Sequence, residues 1–448
     1  LQYADLKKAA SFQEVINIIS IHKEKYPAEW LVGRGWDQNK WQEKIFPDND
    51  ELNKLFPDIP VVLIRIDGHA ALANQKALSL AGINTTTKIQ GGEIQKKNGI
   101  LSGILLDKAC DFIRSFIPKP TKNEMSLLLQ EAEKKCFEVG LTMLADAGLD
   151  ASEIQLIDSL QKSGFLKIKI YAMLNPTEEN FTKYMDKGIY ETPLLKISSV
   201  KLYADGALGS RGALLLAPYS DDIKVSGILV EPVDTLLKIM QRANDAGFQV
   251  CTHAIGDSAV RLILNLYGRI LNEKNIRRWR IEHAQVVHPD DICKFAKYSI
   301  IPAINTTHAT SDMAWAESRL GADRIHNAYA YKDLLKQNAW LCNGSDFPIE
   351  SINPIFGFYA AFARKDHDGN PENGFLSENA LTREQAIKAM TVWAAKACFI
   401  ENKTGSIKKG LAADFVIFDK DILKDAEKDV WHLLPFQTFV NGEFVTNK

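Results

Sequence analysis

VDTLLKIMQRANDAGFQVCTHAIGDSAVRLILNLYGRIL, residues 233–271, carries the pattern on which the fold is read. Residues 233–246 and 259–271 repeat apolar side chains at helical spacing. Between them a short apolar run, residues 248–253, has the length and texture of a buried strand. A strand held between two helices implies crossover connections, and crossovers imply a parallel sheet. The strand ends on Cys251-Thr252-His253, so the unit also delivers an imidazole to the C-terminal edge of that sheet.

The unit recurs in both directions along the chain. Upstream, EMSLLLQEAEKKCFEV (124–139) is an amphipathic helix that stops at Gly140, a residue suited to closing a helix. Strands are predicted at 141–145, 166–174 and 197–203, and downstream at 279–283, 299–305 and 340–343, with further helices at 323–337 and 383–400. Seven such strands over residues 120–400 predict an α/β fold, a (β/α)8 TIM-type barrel one strand short. Residues 1–120 supply no obvious eighth strand, so the first is expected upstream of Leu1, and residues 1–28, helical over 11–25, are expected to follow it. Residues 29–119 are expected to be an irregular, partly β insertion, with turn signals at Pro47-Asp48-Asn49, Gly91-Gly92 and Lys97-Asn98-Gly99. Residues 401–448 change texture: GSIKKGLAADFVIFDKD (405–421) and FQTFVNGEFV (436–445), with an Asn441-Gly442 hairpin turn, form a small β appendage.

The composition narrows the function classes. The 448 residues are 46% hydrophobic and 25% charged with a net charge of −2, which leaves no electrostatic footprint for nucleic acid or an anionic membrane. The apolar runs are strand-sized, too short to cross a bilayer. Six cysteines lie scattered without a C-x-x-C pair, against both a disulfide framework and a zinc ribbon. A cytoplasmic location is expected, with the reservation that an N-terminal signal would precede Leu1. Exposed insertion surfaces leave room for a homodimer.

Catalytic side chains of a parallel barrel sit at the C-terminal strand ends, where the loops form one mouth. Strand 197–203 carries Lys201 and runs into Asp205; the next ends at His253 and the one after at Glu282-His283. Strand 299–305 leads into His308, and the last leads into Ser345-Asp346. Residues two apart share a face, so Ser199 with Lys201, Cys251 with His253, and Ile281 with His283 are expected to point into the barrel together. Two imidazoles, a carboxylate and a lysine meeting at one mouth make a site for a divalent metal, with zinc the best match to the donors and nickel, iron and manganese close behind.

VKLYADGALGSRGA (200–213), HAIGD (253–257), RIEHAQ (280–285), THATSDM (307–313) and GSDFPIE (344–350) together resemble the amidohydrolase superfamily. More narrowly, they are similar to the amidohydrolase family 3 branch that includes N-substituted formamide deformylase. WLVGRGWDQNKW (30–41), RIDGHAALANQKAL (65–78) and GGEI (91–94) resemble the insertion of that branch, and residues 405–419 its C-terminal β-sandwich. The resemblance implies Lys201, His253, His283 and Asp346 as ligands of one or two metal ions, with Lys201 carboxylated. It also implies an H-x-H pair on the first strand. None of the nine histidines forms such a pair, and that deficit points upstream as the strand count does.

On this reading the chain hydrolyses an amide, formamide or cyclic amide C–N bond of a small molecule. Asp346 shuttles the proton and His308 hydrogen-bonds the oxyanion. His69, Trp36, Asp37 and Asp205 are candidates for substrate contact. Three rivals remain open: a deaminase on the same scaffold, a Schiff-base aldolase using Lys201, and a metal-free binding or scaffold protein. The deaminase is disfavoured because no glutamate follows His253 closely.

Overall fold

The computed structural model describes residues 3–446 apart from 27, 39–40, 67, 69, 90–91 and 272–274. His69 therefore lies outside the described residues. The chain divides into two units, residues 1–131 and 132–448.

The N-terminal unit is a six-stranded sheet of β1 (Ala4–Asp5), β2 (Leu31–Trp36), β3 (Val61–Arg65), β4 (Ala70–Ala73), β5 (Gly92–Lys97) and β6 (Ile100–Asp107), in the order β1-β2-β3-β4-β6-β5. β1, β2 and β3 are parallel and the remaining pairs antiparallel. One buried cluster holds Leu31, Val61 and Leu63, the other Val32, Val62 and Ile64, as period-two alternation requires of a sheet covered on both faces; a register shift between Arg34 and Trp36 returns Trp36 to the first cluster. The helix Phe12–Lys25, capped by Ser11 Oγ on the Glu14 N–H, buries Val15, Ile16 and Ile19 in the first cluster. Residues 4–25 thus pack with this sheet, and the segment expected to be irregular and partly β supplies five of its strands. Its strands escaped the sequence pattern because LVGRGW contains two glycines and AALA is a run with weak β preference.

All seven strands expected of the C-terminal unit form. They are β7 (Met143–Leu149), β8 (Lys169–Leu174), β10 (Leu195–Tyr203), β11 (Gln249–Ala254), β12 (Arg280–His283), β13 (Ile301–Ile304) and β14 (Cys342–Asn343), side by side and parallel, with β9 (Tyr190–Glu191) antiparallel against β10. The sheet curls. Strands lie about 4.8 Å apart, so β8 and β12, three places from each other, would be about 14 Å apart in a flat sheet. Yet the Arg280 guanidinium meets Met173 Sδ at 3.6 Å across the concave side. The same interior holds Tyr171, whose hydroxyl donates to Gln249 Oε1 at 3.0 Å and accepts from Ser198.

Two of the expected helices are broken. The run 323–337 is the end of Ala316–Arg324, a short 3-10 turn and Tyr331–Asn338. The backbone leaves the helix there to bond the loop after β12, through Val287 N–H to Asn327 O and Tyr329 N–H to Gln285 O. The run 383–400 becomes Arg383–Met390 and Val392–Ala397, interrupted at Thr391. No helix among the described residues is long and apolar enough to cross a membrane.

The final strands, β15 (Phe415–Ile417), β16 (Gln437–Val440) and β17 (Glu443–Phe444), form an antiparallel sheet. A buried ion pair ties it to the parallel sheet: Lys169 Nζ donates to both Asp414 oxygens at 2.6 Å and to Asn441 Oδ1 at 2.9 Å. Thr404 Oγ1 and the Asn441 N–H also donate to Asp414. Removing one partner strands the other charge inside the protein, so Asp414→Ala should lower the unfolding free energy by about 3–5 kcal/mol. Urea denaturation followed by tryptophan fluorescence measures this, and a midpoint unchanged from wild type would show that the pair contributes nothing.

Candidate active site

The C-terminal ends of β10 to β14 carry the functional side chains, and the curl brings them together. Lys201 on β10 is buried with its Nζ 4.1 Å from the Tyr203 ring centre. His253, at the end of β11, sets its ring against His283 with centroids 4.6 Å apart. His283 in turn stacks on His308 at 5.8 Å. His308 Nε2 lies 3.6 Å from Asp346 Oδ2, with 9% and 34% of the two side chains exposed. His283, His308 and Asp346 each offer a donor atom within 4.8 Å of the other two.

His283 reaches this cluster by an unexpected route. The inward face of β12 belongs to Arg280, whose guanidinium crosses the interior, and to Glu282, ion-paired with it at 2.6 Å. Ile281 aligns with Thr252, whose hydroxyl bonds Tyr267 of the helix Asp257–Leu271 behind the sheet. Ile281 and His283 therefore do not enter the barrel as one face. His283 is turned into the cluster by a left-handed backbone, φ 73°, followed by Ala284 at 43°. Asp346 is also left-handed, at 56°. Non-glycine residues in this region carry strain of about 1–3 kcal/mol, which the surrounding structure must hold in place.

Asn305 does much of that holding. It is the N-cap residue of the helix Thr306–Asp312, which carries His308. Its side chain donates from Nδ2 to Gly344 O at 3.0 Å, two residues before Asp346. One residue thus ties the helix carrying His308 to the loop carrying Asp346. Sequence reading missed it, although an asparagine immediately ahead of Thr-Thr-His is a recognisable helix-start signal.

Burial sets the charges. It pushes His253 down to about 3 and His308 to about 4, and holds His283 well below the usual imidazole value, so all three rings are neutral. Burial also lowers the Lys201 ammonium toward the free amine, opposed by the charges of Glu282, Cys251 and Asp346. It raises Asp346 to about 6, with Lys201 acting against the rise. Two nitrogens in the cluster, His283 Nδ1 and His308 Nε2, are buried without a hydrogen-bond partner. Neutral imidazoles with unmatched nitrogens beside a carboxylate are the donor set that a divalent cation requires.

Asp205 lies close by, 3.6 Å from His253 Nε2, but its side chain is fully enclosed. Its two oxygens accept the N–H groups of Ile255, Gly256 and Leu214 at 2.8 to 3.0 Å. It locks the loop after β10 to the loop after β11. Gly256 permits the same junction: a Cβ there would stand 2.1 Å from Leu214 O. Of the other candidates, Trp36 is buried in the core of the N-terminal unit with its Nε1–H on Leu63 O, and Asp37 pairs with Arg65 at 3.0 Å.

The amidohydrolase family model matches residues 2–446. This chain belongs to the amidohydrolase family. Among the amidohydrolase relatives, YtcJ of Bacillus subtilis (strain 168) is 31% identical over 453 residues, covering 99% of this chain and 85% of that protein. N-substituted formamide deformylase of Arthrobacter pascens is 24% identical over 456 residues, covering 97% and 82%. The crystal structure of an uncharacterized metal-dependent hydrolase from Pyrococcus horikoshii OT3 superposes with a TM-score of 0.80 at 28% identity, covering 95% of this chain and 83% of that one.

Because Asp205 satisfies three buried backbone donors at about 1–3 kcal/mol each, Asp205→Ala should cost several kcal/mol and lower the thermal midpoint. Differential scanning calorimetry reads the loss. A variant as stable as wild type but with a raised KM would return Asp205 to the substrate.

Proposed function

We propose that this amidohydrolase is a metal-dependent hydrolase cleaving a C–N bond other than a peptide bond in a small molecule: an amide, a formamide or a cyclic amide. The parallel sheet is taken as the wall of a TIM-type barrel, the N-terminal unit as its insertion and strands β15–β17 as part of a β-sandwich. The observation that carries the reading is the placement of Asp346 against buried histidines with unmatched nitrogens. The formamide option draws on the name of the Arthrobacter pascens relative.

Lys201, His253, His283 and Asp346 would hold the ion, which is most simply zinc. When bound, a divalent metal supplies Lewis acidity toward the scissile carbonyl and acidifies water. Asp346 accepts the proton of the attacking water as the new C–O bond forms. It returns that proton to the amine nitrogen as the C–N bond breaks, giving a carboxylate-side product and a free amine. Burial moves Lys201 toward the neutral amine, the form from which a carbamate forms. A deaminase-type glutamate has no stand-in here, since Asp257, the first acid after His253, accepts the Leu216 N–H at 2.8 Å.

Amine release from a panel of N-formyl, N-acyl and cyclic amides tests the reading. Turnover should vanish on chelation and return with zinc or another divalent ion. Asp346→Asn should keep the thermal midpoint and lower kcat by about 100- to 10,000-fold. An unchanged kcat with a raised KM would leave Asp346 as a binding residue only.

A further inference from the structure

The helix that carries His308, Thr306–Asp312, has seven residues, well below the roughly 12–15 at which a helix begins to hold itself in water. Its place is therefore set by contacts from outside. At its start, the Tyr331 hydroxyl donates to the carbonyl of the N-cap residue Asn305 at 2.9 Å. At its last residue, the Tyr329 hydroxyl donates to Asp312 Oδ2 at 2.8 Å. Gln285, in the loop after β12, adds its Nε2 to the same carboxylate at 3.2 Å and to the Tyr329 oxygen at 3.0 Å. One phenol stands at each end of the helix, and both come from a segment only three residues long, 329–331.

The two tyrosines are fixed in turn by Arg364, the C-cap residue of the helix Pro354–Ala363. All three side chains are buried. The guanidinium donates from Nε to Phe375 O at 2.8 Å, reaches Tyr329 O from Nη1 at 3.5 Å and lies 5.1 Å from the centre of the Tyr331 ring. Its Nη2 is buried without a hydrogen-bond partner among the described residues. A cation enclosed in this way, against carbonyls and an aromatic face, is held at a cost in stability. Left-handed backbone at Tyr329, φ 53°, and at Arg364, φ 57°, adds strain at the same place. The visible product of that charge and strain is a pair of hydroxyls aimed at the two ends of one short helix.

We propose that Tyr329 and Tyr331 are positioning residues for His308: a two-point clamp, pinned by Arg364, that fixes both ends of the helix and so the place of its imidazole at the mouth. The clamp rests on the hydrolase reading above in taking His308 as the donor to the oxyanion, whereas the place of the ring itself is observable without turnover. Loss of either hydroxyl frees one end of the helix and leaves the aromatic packing where it is.

Tyr329→Phe and Tyr331→Phe each remove a single oxygen. On an amide that the wild type hydrolyses, each should lower kcat by about 10- to 100-fold while KM stays within about 3-fold, the pattern of an interaction felt only in the transition state. In a His308→Gln background the same substitutions should lower kcat by less than about 2-fold, because residues that act through His308 then have nothing left to place. The ring is followed by nuclear magnetic resonance in protein carrying isotope-labelled histidine, where the His308 signals are those lost in His308→Gln. They should shift or broaden in both phenylalanine variants and in Arg364→Met, with the signals of exposed His326 unchanged; if Arg364→Met does not fold, the two phenylalanine variants decide. Losses of kcat that multiply in the double variants, or His308 signals that stay in place, overturn the clamp and leave the hydrolase reading intact. Wild-type protein that turns over no amide overturns that reading, and the histidine spectra then still decide the clamp.

Discussion

Parallel strands deliver their C-terminal side chains to one place only if the sheet that holds them is bent. In the C-terminal unit β10 and β14 stand four places apart, yet Lys201 on the first and Asp346 beyond the second feel each other's charge. The bend is maintained from within. Arg280 reaches across to Met173, and Tyr171 to Gln249, so that residues from β8, β11 and β12 share one interior. Every property of the candidate site descends from this curvature. Without it the histidines would be separate residues on separate strands.

Enclosure then does the electrostatic work. The same burial that strips charge from His253, His283 and His308 raises Asp346 into the range where it exchanges a proton near neutrality. Desolvation disfavours charge whatever its sign, so bases and acids are driven toward their neutral forms together. Neutral rings can give lone pairs to a cation, and a carboxylic group with a raised pKa can carry protons. The chemistry proposed for the site uses both consequences of one cause.

Holding such a group of residues together costs conformational freedom, and the surroundings show where it is offset. His283 and Asp346 adopt left-handed backbone, and Asn305, at the start of the helix carrying His308, holds the Asp346 loop through Gly344 O. Asp205 welds two mouth loops through three backbone donors. Lys169 and Asp414 anchor the last three strands to the parallel sheet. In each case a short polar side chain with several satisfied bonds replaces a length of regular structure.

The sequence by itself determined the seven parallel strands, because strands buried on both faces read as short apolar runs between amphipathic helices. It also determined which residues stand at their ends: Lys201, His253, His283 and Asp346 can be read off in order. The rest was decided by contacts between segments distant in the chain. Two strands of the N-terminal sheet, LVGRGW and AALA, were hidden because glycine- and alanine-rich runs become strands only when neighbours pair with them. Asp205 looked like a site residue until the backbone donors of another loop closed over it. The inward turn of His283 against the alternation of its own strand depends on two left-handed residues, which no periodicity reports. The grouping of His308 with His283 and Asp346 arises in three dimensions because distance across a curled sheet has no counterpart in residue spacing.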